Sequence, residues 1–347
     1  MAPWEYRDFD DHESVHVFRD TAAGLTAVIA IHSTALGPAA GGVRFWHYAR
    51  GEDAITDALR LSRGMSFKNA MAGLALGGGK GVIVADADRR KTPAMLQSFG
   101  NAVESLGGRY VTAADVAMTD ADMIAIGGET RHVTGLPPKP GMAGGDPGPA
   151  TARGVFLGVK AAVARALGKD SVAGVHVAVQ GVGSVGGRLA RLLAAEGARL
   201  TIADVDGARA AQLAAELGAE TVTPEAILTL PVDVVSPCAL GGVLDDVTIA
   251  GLQAPIVAGA ANNQLATAAD GPRIHARGIL WAPDYVINAG GIINVGLQYL
   301  GGTIADVEAR VARIPDRLIE VWDESTASGE PAAIVAQRIA MRRIGRG

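Results

Sequence analysis

Cysteine occurs once in the 347-residue chain, at Cys238, which excludes an internal disulfide and a multi-cysteine metal site. The seven histidines form no metal-ligand cluster either. His12 and His16 share helical spacing but lack nearby cysteines or a His-Glu-x-x-His frame, so no metal is expected. A long basic stretch is missing, and the formal net charge is -5, which argues against nucleic acid as a partner. No charge-free apolar run is long enough to span a bilayer, and no positive segment precedes an apolar run at the start. A cytoplasmic protein with no nucleic-acid or membrane partner is expected.

Lysine is also scarce. Only six of the 31 basic residues are lysines: Lys68, Lys80, Lys91, Lys139, Lys160 and Lys169. A compositional bias contributes to that count. Yet a side chain asked to lose its proton near neutrality must be lysine, because arginine stays charged. What is plentiful is apolar residue, 49% of the chain, and glycine, 46 residues. That is enough material for two ordinary domains, each with its own core.

Residues 25–32 form an apolar, β-branched run of strand length. The spacing predicts helices over 52–65 and 93–106, the second opened by Thr92-Pro93, and a short strand over 109–112. Residues 134–149 carry five prolines and five glycines in sixteen positions. This stretch is either a domain boundary or an ordered loop. A helix follows over 150–167, then a strand over 175–180, a glycine turn, a helix over 187–196 and a strand over 199–203. Further strands are expected at 232–236, 256–258 and 279–281, and closing helices over 306–323 and 330–344. Strands alternating with helices imply an α/β fold with a parallel sheet covered on both faces.

The most legible unit is Gly181-Val182-Gly183-Ser184-Val185-Gly186. It lies between an apolar strand and a helix, with Asp204 at the next strand end, 23 residues after the first glycine. In that setting the glycines give a tight turn, room for a pyrophosphate and close helix–sheet packing. The helix N-terminus offers backbone donors to the pyrophosphate. Asp204 can accept the ribose hydroxyls and repel a ribose phosphate, which points to NAD; its alternative role is a helix cap. Asn262 and Asn288 stand where side chains reach a nicotinamide or a substrate, or simply line turns. Cys238, between Pro237 and Ala239, reads as a small packed residue rather than a nucleophile.

A second dense region runs from Met65 to Gly81. Three consecutive glycines before Lys80 suggest close backbone approach to a ligand ahead of a strand. This is no Walker sequence, since Gly81 stands where a serine or threonine is required. Lys68 and Lys80 either form a surface pair or meet a small anionic substrate, one binding its carboxylate and the other acting as a base of depressed pKa. Asp115 either exchanges a proton with the substrate or caps a helix. Gly41 and Gly42 can shape the same pocket, with Arg44 bracing it.

The residues that carry a resemblance are Leu36-Gly-Pro-Ala-Ala-Gly-Gly-Val-Arg44, Leu59-Arg-Leu-Ser-Arg-Gly-Met-Ser-Phe-Lys-Asn-Ala70 and Leu76-Gly-Gly-Gly-Lys-Gly-Val-Ile83. Val179-Gln-Gly-Val-Gly-Ser-Val-Gly186, Pro237-Cys-Ala-Leu-Gly-Gly242, Ala260-Ala-Asn-Asn-Gln-Leu265 and Ala282-Pro-Asp-Tyr-Val-Ile-Asn-Ala-Gly-Gly291 continue it. In this order the chain resembles the glutamate, leucine, phenylalanine and valine dehydrogenases, the leucine branch above all. The resemblance implies a two-domain α/β amino acid dehydrogenase. Residues 1–135 would bind substrate and direct oligomerisation, 136–327 would form a Rossmann-type NAD domain, and 328–347 would pack back on the first domain.

By the same resemblance Lys80 is the general base, Lys68 holds the α-carboxylate and Asp115 shuttles protons to the substrate nitrogen. Ala40, Gly41, Gly42, Met65, Ala113, Asn262, Asn288, Ile292 and Val295 line the substrate. The residues from Gly181 to Gly186, with Asp204, Val205, Cys238, Ala239, Ala260, Asn262 and Asn288, hold NAD. The implied partners are a hydrophobic L-amino acid or its 2-oxo acid, ammonia, and further copies of the chain, from dimer to octamer. Glutamate-specific relatives place a lysine where this chain has Ala40, so glutamate is not expected. Leucine enzymes typically carry leucine there. Ala40 leaves volume for an aromatic ring and Ile292 takes some back, so branched aliphatic substrates are expected first and phenylalanine second. Gly296-Leu297-Gln298-Tyr299 also departs from the Ala-Asp-Glu of the leucine enzymes.

Overall fold

The computed structural model describes residues 2–88 and 90–346. The chain divides into two compact units, Met1–Asp146 with Ile292–Val307 and Ala340–Gly347, and Pro147–Gly291 with Glu308–Ile339.

The first unit is built on five strands, β1 (Ser14–Asp20), β2 (Leu25–Ser33), β3 (Ala39–Trp46), β4 (Gly77–Val84) and β5 (Tyr110–Ala114). Their order is β1-β2-β4-β3-β5, antiparallel on the β1 side and parallel through β4, β3 and β5. Three helices cover it: α1 (Gly51–Ala72), α2 (Pro93–Ser105) and α3 (Asp120–Gly127). The apolar run of β2 is buried on both sides because successive side chains alternate between faces. Ala27, Ile29 and Ile31 meet Met95, Phe99 and Val103 of α2, while Val28 and Ala30 meet Ala54, Ala58 and Leu59 of α1. Thr92 caps α2 by accepting from Met95 N at 3.2 Å. Helix α1 runs seven residues past the expected end at Met65, because Ser66, Phe67, Asn69 and Ala70 continue its buried face, and it stops at Gly73 with φ 66°. Lys68 is therefore a helical residue.

The second unit opens with α4 (Gly148–Leu167) and continues as β6 (His176–Gln180), α5 (Ser184–Ala195), β7 (Arg199–Ala203), α6 (Gly207–Leu217) and β8 (Glu220–Thr221). There follow β9 (Val234–Pro237), α7 (Asp246–Gly251), β10 (Ile256–Val257), α8 (Asp270–Ala276), β11 (Leu280–Trp281) and α9 (Asp284–Ile287). The six strands form a parallel sheet in the order β11-β10-β9-β6-β7-β8. Chain order reverses between β6 and β9, which makes the C-terminal ends of those two strands the switch point of the sheet. Gly181 follows one of them and Cys238 the other.

Four helices close the chain: α10 (Gly290–Leu300), α11 (Ile304–Val311), α12 (Ile314–Ser328) and α13 (Ala332–Arg343). Where one helix was expected over 306–323 there are two, because Pro315 sits in the first turn of α12, where its missing N–H costs nothing. The partition also differs from the three expected segments. Ile292–Val307 belongs to the first unit, and only Ala340–Gly347 of the C-terminal segment does. The proline- and glycine-rich stretch is an ordered loop as far as Asp146. Asn294 of α10 exchanges two hydrogen bonds of 3.0 Å with the Gly144 backbone. Gln298 accepts from Gly135 N at 2.7 Å and donates to Leu136 O at 2.7 Å. Among the described residues no helix is long and apolar enough to cross a membrane.

Candidate active site

Strand β4 explains its own composition. The glycines lie within the strand rather than ahead of it, and protein atoms approach them closely. A Cβ at Gly78 would stand 2.1 Å from the Ser66 backbone of α1, and one at Gly79 would stand 2.7 Å from the Tyr110 ring. At Gly41, on β3, a Cβ would meet Gly79 O at 1.8 Å. Tyr110, fully buried, fills the space these glycines leave and donates its hydroxyl to Gly41 O at 2.6 Å. No periodicity in the sequence marked Tyr110. The missing side chains opposite it were the available signal.

In this sheet Lys80 is buried, 5% exposed, and its Nζ donates to Asp115 Oδ2 at 2.6 Å. The surface-pair reading of Lys80 is thereby removed. Asp115 follows β5, and the helix-cap role belongs instead to Thr119, whose side chain accepts from Asp122 N. Arg44 Nε donates to the same Asp115 oxygen at 3.2 Å, and its NH1 reaches Asp57 Oδ2 at 2.8 Å. Burial holds the Lys80 ammonium below its usual pKa, with the Arg44 charge adding to it and Asp115 opposing. For Asp115 burial acts upward, but Lys80 and Arg44 outweigh it and keep the carboxylate below its ordinary range. A lysine inclined to lose its proton thus touches a carboxylate inclined to stay ionised, the pairing a proton-exchanging site requires.

Around this pair, Ala40 and Ala113 are buried and Met65, on α1, comes close to Gly41. Gly42 faces Asp115: a Cβ there would meet the Asp115 Cβ at 2.9 Å. Ile292 and Val295, half-buried on α10, belong to the same compact unit. Val295 O accepts from Thr134 Oγ1 at 2.5 Å, so the loop and α10 are joined at that point. Asp57 was not anticipated as part of this site. Nor was Lys91, which donates to Ala117 O at 2.6 Å, where Ala117 adopts φ 61° two residues past Asp115.

The second unit carries the glycine turn. Gly181 has φ 87° and packs on Ala239; a Cβ at Gly186 would stand 1.9 Å from Gly181 O and 3.0 Å from the Cys238 Cβ. Nothing lies within 4 Å of a Cβ built on Gly183. Gly183 is also the N-cap of α5 and supplies no side-chain cap, which leaves the first N–H groups of that helix open to an anion. Asp204 accepts from Val182 N at 2.8 Å and from Asp206 N at 2.9 Å. Each of its oxygens therefore retains acceptor capacity. Asp206, rather than Asp204, caps α6. Arg209 stands 3.7 Å from Asp204, and Val205 is 94% exposed beside it.

Past β9, Cys238 N donates to Gln180 O at 2.7 Å, and burial pushes the thiol pKa up, which fits packing rather than nucleophilic attack. Asn288, 3% exposed, donates to Ala260 O at 3.0 Å and to Asn262 Oδ1 at 2.8 Å. Its own Oδ1 is buried with no hydrogen-bond partner among the described residues. An orphaned amide oxygen, a glycine turn with open space at its centre and an uncapped helix start fit a dinucleotide that carries a carboxamide.

A parallel switch-point sheet with this turn, and a buried lysine on a carboxylate, define a nicotinamide-dependent dehydrogenase. Residues 12–132 match the model of the Glu/Leu/Phe/Val dehydrogenase dimerisation domain. Residues 145–212 and 208–344 match that of the glutamate/leucine/phenylalanine/valine dehydrogenases, and the chain belongs to this family of amino acid dehydrogenases. It is 46% identical over 344 residues to a leucine dehydrogenase of Thermoactinomyces intermedius, covering 99% of this chain and 94% of the relative. A valine dehydrogenase of Streptomyces virginiae is 45% identical over 342 residues, 98% of this chain and 95% of the relative. The crystal structure of L-tryptophan dehydrogenase from Nostoc punctiforme superposes with a TM-score of 0.87 at 41% identity, covering 96% of each chain.

Proposed function

We propose that the protein catalyses reversible, NAD-dependent oxidative deamination of a hydrophobic L-amino acid, branched aliphatic substrates first, to the 2-oxo acid, ammonia and NADH. The carrying observation is an apolar set in the same compact unit as Lys80 and Asp115. Ala40 and Ala113 are buried there, and Ile292 and Val295 share the same unit. A glutamate carboxylate would find no cation at position 40, and burying it unpaired is costly.

NAD, when bound, would supply the acceptor for the hydride that leaves the substrate Cα. Lys68 holds the α-carboxylate and Asp115 takes up a proton from the amine. Lys80, in its neutral form, accepts a proton from water as the water oxygen bonds to the imino carbon and the C=N pair moves to nitrogen. Asp115 then returns its proton to the nitrogen, and the carboxylate so regenerated takes the hydroxyl proton as the C–N bond breaks, the C=O bond forms and ammonia leaves. In the second unit the residues from Gly181 to Gly186 and the α5 N-terminus would hold the pyrophosphate, together with Cys238, Ala239 and Ala260. Asp204 and Val205 would take the adenosine ribose, and Asn262 and Asn288 the carboxamide. The enzyme is read as a cytoplasmic homo-oligomer, from dimer to octamer, assembled through its N-terminal unit. Mass measurement in solution fixes the number.

A substrate panel tests the pocket. With NAD, kcat/KM for leucine, isoleucine or valine is expected to exceed that for phenylalanine and tryptophan, and glutamate to be negligible. An aromatic lead would replace the aliphatic reading. That second reading is favoured by the small Ala40 and by the likeness to an L-tryptophan dehydrogenase. Ala40→Leu is then expected to depress the aromatic rates selectively, since methylene groups shift such preferences by about 1–3 kcal/mol each.

Cofactor choice is tested at Asp204. NAD is expected to be used at least about tenfold more efficiently than NADP, equivalent to ~1.4 kcal/mol. Because Asp204 also holds Val182 N, Asp204→Asn is the cleaner variant: it keeps an acceptor for the turn and removes the charge. Its NAD:NADP ratio is expected to fall while the amino-acid profile stays. Equal efficiencies in the unaltered enzyme would remove the assignment.

A further inference from the structure

We infer that Arg44, anchored by Asp57, is a positioning residue that keeps Asp115 ionised, ready for the amine proton, when Lys80 is neutral. The inference rests on the reading of Lys80 and Asp115 given above and deepens it. Both cations converge on one oxygen of Asp115: Lys80 Nζ at 2.6 Å and Arg44 Nε at 3.2 Å share Oδ2. No hydrogen bond is made to Oδ1 among the described residues, and the side chain is 27% exposed, so that oxygen is free to receive a substrate amine. Behind Arg44, Asp57 Oδ2 accepts from Arg44 at 2.8 Å and from the Tyr48 hydroxyl at 2.6 Å, while Asp57 Oδ1 accepts from Arg60 at 3.1 Å. Asp57 and Lys80 are the most enclosed of the four charged side chains, 11% and 6% exposed.

The need for such a group follows from the proton count. Lys80 must already be neutral when substrate binds if it is later to take a proton from water, and Asp115 then lacks its nearest cation. Without another positive charge, this partly buried carboxylate would favour taking up a proton from solvent and could no longer accept one from the substrate nitrogen. Arg44 does not deprotonate, so its charge stays on Asp115 through the whole cycle. Asp57 balances that charge. With Lys80 protonated, the quartet of Lys80, Arg44, Asp115 and Asp57 is neutral. With Lys80 neutral it carries one negative charge.

The charge count makes opposite predictions for the two accessory residues. The groups facing the pair are Arg44 from β3, Asp57 with Arg60 from α1, Tyr48 beyond β3 and the buried Tyr110 hydroxyl of β5. Lys68 on α1 is the same in every variant. Arg44→Met adds net negative charge, so Lys80 should hold its proton more tightly. Asp57→Asn removes a negative charge and leaves Arg44 to Asp115 alone, so Lys80 should release its proton more readily.

The experiment is the pH profile of kcat for deamination in the intact enzyme, with thermal unfolding as a check on folding. The rise of rate with pH is expected to move up by about one unit in Arg44→Met and down in Asp57→Asn, the range one nearby charge produces. Arg44→Lys keeps the charge but cannot fork to both carboxylates. Its midpoint is expected to stay near that of the unaltered enzyme while kcat falls. Midpoints that do not move, or move together, overturn the inference and leave the role of Lys80 untouched. If Arg44→Met fails to fold, the direction in Asp57→Asn decides: downward supports the inference, unchanged or upward overturns it. The underlying reading fails separately, if Lys80→Met turns over at a near-normal rate.

Discussion

Lys80→Met is expected to lower kcat for complete deamination, read as 2-oxo acid and ammonia released, by about two to four orders of magnitude, the usual worth of a positioned general base. The chain should remain folded. Methionine approximates the lysine stem in volume, and Asp115 keeps Arg44 as a partner at 3.2 Å, so no buried carboxylate is abandoned. The defect should also differ from that of a binding variant. Lys68→Ala, on the proposed reading, raises KM for the amino acid, whereas Lys80→Met leaves NADH binding intact and loses the chemical step. Steady-state ammonia release over a range of amino-acid concentrations, alongside thermal unfolding, separates a raised KM from a lowered kcat. A near-normal kcat for 2-oxo acid and ammonia release in a folded Lys80→Met enzyme would reject Lys80 as the base.

The second large effect is a contrast between two glycines three positions apart. Gly183→Ala is expected to leave the melting temperature within about 2 °C, because a Cβ there meets nothing within 4 Å and φ is -69°. The same methyl occupies the space where a pyrophosphate must approach the start of α5. NADH affinity should therefore fall at least about tenfold. Gly186→Ala behaves otherwise. Its Cβ would lie 1.9 Å from Gly181 O, so the backbone must shift and the second unit loses stability. Overpacking of this kind costs about 1–3 kcal/mol or more, and each kcal/mol lowers Tm by about 2–4 °C in a domain of this size. NADH fluorescence titration and thermal unfolding of both variants give the test. Should Gly183→Ala bind NADH normally, the turn does not hold the dinucleotide as proposed.

These glycines also show where the sequence was readable and where it was not. The Gly181–Gly186 turn is local: strand, turn, helix and acidic strand end fall within thirty residues, and each imposes its own chemistry on its own segment. The Gly77–Gly79 run is equally conspicuous, but its cause lies elsewhere in the chain. A glycine-rich segment has low strand propensity, yet it forms β4 because Ser66 of α1 and the Tyr110 ring press on it and leave no room for side chains. Only three-dimensional packing states that reason. The break at Pro315 was legible in principle, since proline prefers a first helical turn, but continuous amphipathic spacing concealed it.

The sequence by itself determined the apolar strands, the capped start of α2, the dinucleotide turn and the two lysines as residues needing an explanation. Composition, short-range periodicity and turn chemistry act over a few residues, so they are written in the order of the chain. The tertiary structure decided what Lys80 touches. It brought Arg44 to Asp115 across 71 positions and to Asp57 across 13, buried the lysine among them and grouped Ile292 and Val295 with the first compact unit. A pKa is set by burial and by charges within a few ångströms, whatever their separation along the chain. Which lysine is ready to lose its proton was therefore a property of the folded sheet rather than of its motif.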